Sequence, residues 1–283
     1  MPQFQNRAQL TYGGITLDSN TVTGEITTVL SAGKTSLSES YAQGDSVTYV
    51  LSVVNAGATA YTGLSVTDDL GAYTFGTGTL YPLAYDVGSL AYFVNGVRQA
   101  TPTIADTQPL TVTGITVPAG GNVVLIYSAT VTDSAPLDVG SLITNQALIA
   151  GGGITPITVT DTVTAAERAQ LSITKSLCPL SVVENGVITY TFTVENYGNT
   201  AVIATDNTVL SDTFDPILTD ITVTYNGTAW AEGTEYTYDE TSGVFASTPG
   251  AITVPAATFT QDPVTGAYTV TPGVATVTVT GTV

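Results

Sequence analysis

Histidine is absent from this 283-residue sequence, and cysteine, tryptophan and methionine occur once each. Without histidine there is no Ser-His-Asp or Cys-His nucleophile system and no His-containing zinc site. The lone Cys178 builds neither an intrachain disulfide nor a Cys-only metal site. A buried or idle thiol is expected there, with an intermolecular disulfide as the alternative. Five basic residues face 23 acidic ones, for a formal net charge of -18. That balance leaves no basic patch for nucleic acid and repels anionic membrane surfaces. No apolar run approaches the ~20 residues of a membrane span. The opening segment, Met1 to Arg7, has no basic head followed by an apolar stretch, so it is no secretory signal. Phosphate-cradling glycine loops are also lacking. Asp133, Asp138, Asp220 and Glu240 sit in turn-like contexts where acidic residues serve local structure. Asp68-Asp69 offers too few ligands for calcium. Neither cofactor, metal nor turnover catalysis is expected.

What is present is a strand-forming palette of Thr, Val and 15 tyrosines, which suits pleated, half-buried surfaces. Val47 to Val53 and Ile188 to Val194 alternate apolar and polar residues with the period of two that marks a strand. Gly, Pro and Asn/Asp clusters break the runs at the spacing of a β-sandwich. The expectation is an all-β protein of two domains, each long enough to bury its own core.

Two copies of one domain are legible. Lys34, Thr48, Tyr49, Val53, Asn55 and Gly57 match Lys175, Thr189, Tyr190, Val194, Asn196 and Gly198 at one constant offset of 141 residues. Val66-Thr67-Asp68 corresponds to Leu210-Ser211-Asp212, and Ile115 to Ala119 reappears as Ile252 to Ala256.

The ends of the copies differ. Copy one runs through Val123–Val131 to a closing strand, Ile143 to Ile149, then a glycine turn (Gly151-Gly152-Gly153-Ile154-Thr155) and Thr162-Val163-Thr164. Copy two reaches Ala275–Val283, the counterpart of Val123–Val131, and goes no further. The opening of the chain repeats the closing passage: Phe4 to Leu10, Gly13-Gly14-Ile15-Thr16, then Thr21-Val22-Thr23. Residues 1–25 are therefore expected to be a donor segment, 26–165 a first sandwich, and 166–283 a second sandwich lacking its last strand. A strand at Phe4, Ala8 and Leu10 of one subunit would complete the second domain of the next, joining copies head to tail. A frayed leader, or one folded back on its own chain, is the alternative.

At Lys34, Gly44-Asp45-Ser46-Val47-Thr48-Tyr49, Asn55-Ala56-Gly57 and Val66-Thr67-Asp68, the text resembles the conserved repeat domain of bacterial and archaeal surface proteins, a domain of unknown function. Copy two follows the pattern with Lys175, Tyr190, Asn196-Tyr197-Gly198 and Asp212, but has no Gly-Asp pair. The resemblance implies tandem immunoglobulin-like sandwiches in stalks, pili or coats outside the cell. Subunits of clostridial endospore appendages are similar in mass and domain content, which would fit the lack of an export signal. In several Gram-positive pilin and adhesin domains a first-strand Lys and a last-strand Asn condense into an isopeptide bond beside a buried acid. Carried over, this implies Lys34 with Asn145 beside Asp68, and Lys175 with a neighbouring subunit's Asn6 beside Asp212. Surface lysines near turn-capping asparagines are the alternative.

Two smaller expectations remain. Asn226-Gly227 reads as a tight hairpin turn. The Tyr81-Pro82-Leu83-Ala84-Tyr85 loop is the candidate if the chain is instead an adhesin for a surface or glycan ligand.

Overall fold

The computed structural model describes residues 3–25 and 28–283, so the expected boundary at residue 26 lies outside the described residues. The chain is all-β, apart from one 3-10 turn at Ala204–Asp206. No helix among the described residues is long and apolar enough to cross a membrane.

The first domain is two facing sheets. One runs Val97–Gln99, Ala91–Val94, Asn122–Val131, Ser46–Asn55, Leu30–Ser36, all antiparallel, with Leu83–Tyr85 also on Asn122–Val131. The other runs Thr103–Thr107, Leu110–Val117, Tyr61–Asp68, Leu142–Gly151, Ile157–Ala165, Ser40–Tyr41, its last pair parallel. Because strand side chains alternate faces, Val47, Tyr49, Leu51 and Val53 point inward, as do Val123, Leu125, Tyr127 and Ala129. They meet Leu64, Val66, Ile143, Ala147 and Ile149 of the opposite sheet in one core.

The second domain repeats the first sheet: Leu171–Cys178, Val187–Asn196, Gly273–Thr282, Thr219–Tyr225, Thr228–Trp230. Asn226-Gly227 makes the expected turn, with φ of 49° and 79° and Tyr225 paired to Thr228. Facing this sheet among the described residues are Ser211–Thr213, Val244–Ser247 and Tyr236–Asp239, plus a bridge from Val202 to Val254.

The Asn-x-Gly motif of each copy is a clasp between loops. Asn55 Nδ2 donates to Thr59 O and Pro118 O, both at 2.9 Å, while its Oδ1 accepts the Gly57 N–H. Asn196 does the same with Thr200 O at 2.8 Å, Pro255 O at 3.0 Å and Gly198 N–H. A Cβ at Gly198 would stand 2.1 Å from Arg168 O, so no larger residue fits. Copy two also carries an added hairpin, Thr258–Gln261 with Tyr268–Thr271, that leans on the first domain. Phe259 packs on the first core, and Gln261 Nε2 donates to Tyr73 OH at 2.8 Å.

Residues 3–25 form a two-part hairpin, Gln3–Asn6 with Val22–Glu25 and Gln9–Tyr12 with Ile15–Asp18, reversed at Gly13-Gly14. Arg7 and Asp18 bridge at 3.2 Å, and Ala8 N–H donates to Ser19 Oγ at 2.9 Å. The sequence predicts a single strand near Phe4–Leu10; the structure folds residues 3–25 as a hairpin, with a second run of strand paired to the first. The counterpart in the first domain is likewise two strands, Leu142–Gly151 paired along its length with Ile157–Ala165. The glycine turn reverses the chain in both places, which is why the second strand follows the first.

Candidate functional site

In the first domain the predicted residues converge in the core. Lys34 lies on the sheet-edge strand Leu30–Ser36, opposite Leu51. Asp68 ends the strand Tyr61–Asp68, and register sets it against Ala147, two residues from Asn145 on the neighbouring strand. Lys34 Nζ donates to Asp68 Oδ2 at 2.6 Å, with both side chains at most 1% exposed. The same carboxylate accepts from the Tyr127 hydroxyl and, through Oδ1, from Leu70 N–H at 3.1 Å. Lys34 Nζ also stands 4.7 Å from the centre of the Tyr49 ring. Burial pushes the Lys34 ammonium below the ordinary lysine range, against the pull of Asp68. Burial first, and then the Asp68 charge, holds the Tyr127 phenol well above its ordinary range.

Asn145 is fully buried, and its amide lies beside the Tyr49 and Tyr127 hydroxyls. Neither of its polar atoms completes a hydrogen bond, nor does Tyr49 OH. A buried amide left so costs about 1–3 kcal/mol for each unsatisfied group. A lysine hydrogen-bonded to a carboxylate, beside a carboxamide without hydrogen bonds in a buried core, brings together the groups that amide exchange would use. No motif in the sequence marks Tyr127. The signal for it was a tyrosine at an inward position of an apolar strand, where the hydroxyl must find a partner.

The second domain builds the same site half open. Lys175 lies opposite Phe192, as Lys34 lies opposite Leu51, and donates to Asp212 Oδ2. Its side chain is 38% exposed and that of Asp212 21%. The ammonium stands 4.4 Å from the Tyr190 ring centre, 5.3 Å from Phe214 and 5.4 Å from Phe192. Val279, opposite Tyr190, takes the position that Tyr127 holds opposite Tyr49. Asn6 is not at this site within the chain; it pairs with Val22 in the exposed leader hairpin.

Around Lys175 the strand faces water along its length. Leu171 and Ile173 are exposed, and with Val194, Val209, Leu210 and Ile252 they line an apolar groove of about 180 Å³. In the first domain the same flank is covered by Ile157–Ala165, whose Asp161 accepts the Ser36 N–H at 3.0 Å. The strand Ser211–Thr213 pairs with Val244–Ser247 on one side and has no partner on the other among the described residues.

Each part of the leader hairpin gathers its apolar side chains on one face: Phe4 and Asn6 with Val22, and Leu10 and Tyr12 with Ile15 and Leu17, while Gln3 and Gln5, and Gln9, Thr11, Thr16 and Asp18, occupy the opposite faces. The corresponding face of the closing hairpin, Ile143, Asn145, Ala147 and Ile149, is buried in the first core. Leu10 is 64% exposed where its counterpart Ile149 is 0%.

Two other expectations change. Leu83 and Tyr85 of the Tyr81–Tyr85 loop are buried, the latter tilted against Tyr127 at 6.4 Å, so this loop does not present a tyrosine pair to a ligand. Its own alternation turns them inward. Cys178 is a free, exposed thiol, so of the expected buried or idle thiol only the burial is overturned.

No protein-family model and no curated protein matches the chain. Among solved structures it is similar to the pilus backbone RrgB of Streptococcus pneumoniae, at 12% identity and a TM-score of 0.36 over 86% of this chain and 55% of that one. It is also similar to BcpA, the major pilin subunit of Bacillus cereus, at 12% identity and a TM-score of 0.35 over 96% of this chain and 73% of that one. A third is the collagen-binding domain from a Staphylococcus aureus adhesin, at 15% identity and a TM-score of 0.30 over 50% of this chain and 99% of that one.

Proposed function

We propose that the chain is a structural subunit of a fibre on a cell or endospore surface. The leader hairpin of one subunit completes the second domain of the next, and Lys–Asn isopeptide bonds lock the result. The observation that carries this reading is the set of apolar side chains in residues 3–25, exposed in the leader, while the matching Ile143, Ala147 and Ile149 of the closing passage are buried. An exposed sheet edge beside an apolar groove favours strand addition over solvent.

The first domain supplies a register for docking. Ala147 faces Asp68 and Ile149 faces Val66. Transferred to copy two, Ala8 faces Asp212 and Leu10 faces Leu210, which lines the apolar groove. Asn6 then stands to Lys175 as Asn145 stands to Lys34. A hairpin given to one neighbour while a groove receives another is a head-to-tail contact, which propagates unless it closes a ring.

The bond balances within the protein. Lys34 passes a proton to Asp68, the neutral Nζ attacks Cγ of Asn145, and a C–N bond forms. As the Cγ–Nδ2 bond breaks, Asp68 hands that proton to Nδ2, which departs as ammonia, and takes up the second Nζ proton, leaving a neutral amide beside a protonated carboxyl. The same exchange would join Lys175 to Asn6 between subunits.

Electron microscopy of the full chain beside a variant lacking residues 1–25 tests the assembly. Fibres from the full chain and none from the truncated one are expected. Fibres of the same repeat from both would overturn the reading.

A further inference from the structure

We infer that Lys175 is a latent cross-linking site, completed only when a second subunit docks and covers it, so that the covalent lock follows assembly and cannot precede it. This rests on the docking proposed above and adds an order of events to it.

The two lysine sites share a lysine–aspartate pair and differ in their cover and in the rings around the lysine. Both pair a lysine with an aspartate from the facing sheet at the same register. Lys34 is sealed by the subunit's own closing hairpin and faces one ring, Tyr49. Lys175 is open to water and is surrounded by Tyr190, Phe192 and Phe214. Hydration, a carboxylate and aromatic faces each stabilise an ammonium, which is not a nucleophile. Removing the water works the other way, because burial disfavours the charged form. The leader hairpin is the element that would do so, and it carries the electrophile, Asn6, four residues before the exposed Leu10 that would help to seal the site. Cover and reactant therefore arrive together.

The order has a structural use. A lysine already sealed would need no partner, whereas one that reacts only under a docked strand spares the free subunit from misdirected bonds.

Amine acylation with an acetyl ester, read by peptide mass spectrometry, tests this on full chains. In Leu10→Asp, which should dock poorly, Lys175 should be acylated and Lys34 should not. In assembled wild type, Lys175 should escape acylation, and its peptide should be joined to that of Asn6 with the loss of one ammonia. Asn6→Ala fibres should protect Lys175 yet dissolve in hot detergent, and Asp212→Ala fibres should assemble and dissolve likewise. Fibres with Lys175 protected but unlinked would overturn the latent bond and leave the docking intact. Fibres with Lys175 freely acylated would overturn both. A Lys175 bond found in the undocked variant would overturn the order of events.

Discussion

Lys34 and Lys175 hold the same place in their domains, opposite Leu51 and Phe192, yet one is sealed in a core and the other stands half in water. The difference traces to the hairpin that covers the first and has no counterpart over the second among the described residues. Both the assembly and the chemistry proposed for this chain follow from it.

Measured on Leu10→Asp to keep the chain monomeric, the intact mass should fall short of the sequence mass by one ammonia. Asn145→Ala should restore the full expected mass. It should also lower the stability of the first domain by roughly 4–5 kcal/mol, the scale of a cross-link closing a loop of about 100 residues. A full mass in the parent would sink the internal bond.

Asp68→Ala strips the partner from a buried ammonium. Loss of the bond is expected, seen as a full mass, together with a destabilisation of about 3–5 kcal/mol in denaturant titration. Retention of the bond would show that Asp68 is not the proton carrier.

Assembly should depend on the apolar side chains of the leader. Leu10→Asp and Phe4→Asp should suppress fibres without altering circular dichroism, since burial of each large apolar side chain is worth about 1.5–3 kcal/mol. Gln9→Glu, on the opposite face, should polymerise normally. Equal effects from both faces would argue against strand insertion. Cys178→Ser should leave any detergent-resistant ladder intact.

The loop clasps should be independent. Asn55→Ala and Asn196→Ala should each destabilise their own domain by roughly 1–3 kcal/mol, because the carbonyls and N–H groups they hold lose their partner. Domain-resolved hydrogen exchange would register the loss in one copy and not the other.

Alkali gives a further check. Burial holds Tyr49 and Tyr127 above the ordinary phenol range. Raised folded values mean that their contribution is fully present below the unfolded pKa of about 10 and fades as pH climbs beyond it. Phenolate absorbance from Tyr49 and Tyr127 should therefore appear together with cooperative unfolding above that pH. Early, non-cooperative ionisation of both would contradict the buried placement.

Much of this was readable from the chain. Alternation placed Val47 to Val53 as a core strand, and the common offset of Lys34 and Asn55 with Lys175 and Asn196 exposed the duplication. The pairing of Lys34 with Asp68 followed from their recurrence in both copies. Tyr127 was not readable as a functional residue, because an inward tyrosine in an apolar run looks like any other core residue until its hydroxyl is seen to meet Asp68. The Tyr81–Tyr85 loop misled for the opposite reason: spacing shows that aromatic residues recur but not which side of the chain is the interior.

By itself the sequence determined the fold class, the duplication, the acidic surface without histidine, and the likeness of residues 4–23 to the closing passage of copy one. All of these depend on local pattern, where side-chain period and turn chemistry act over a few residues. The tertiary structure decided that the leader is a hairpin with exposed apolar side chains, that Asn145 is buried without hydrogen bonds, and that Lys175 is open where Lys34 is closed. Burial is a property of what packs over a residue from distant parts of the chain, so the matching lysines of two related motifs acquire different environments that the motifs alone do not show.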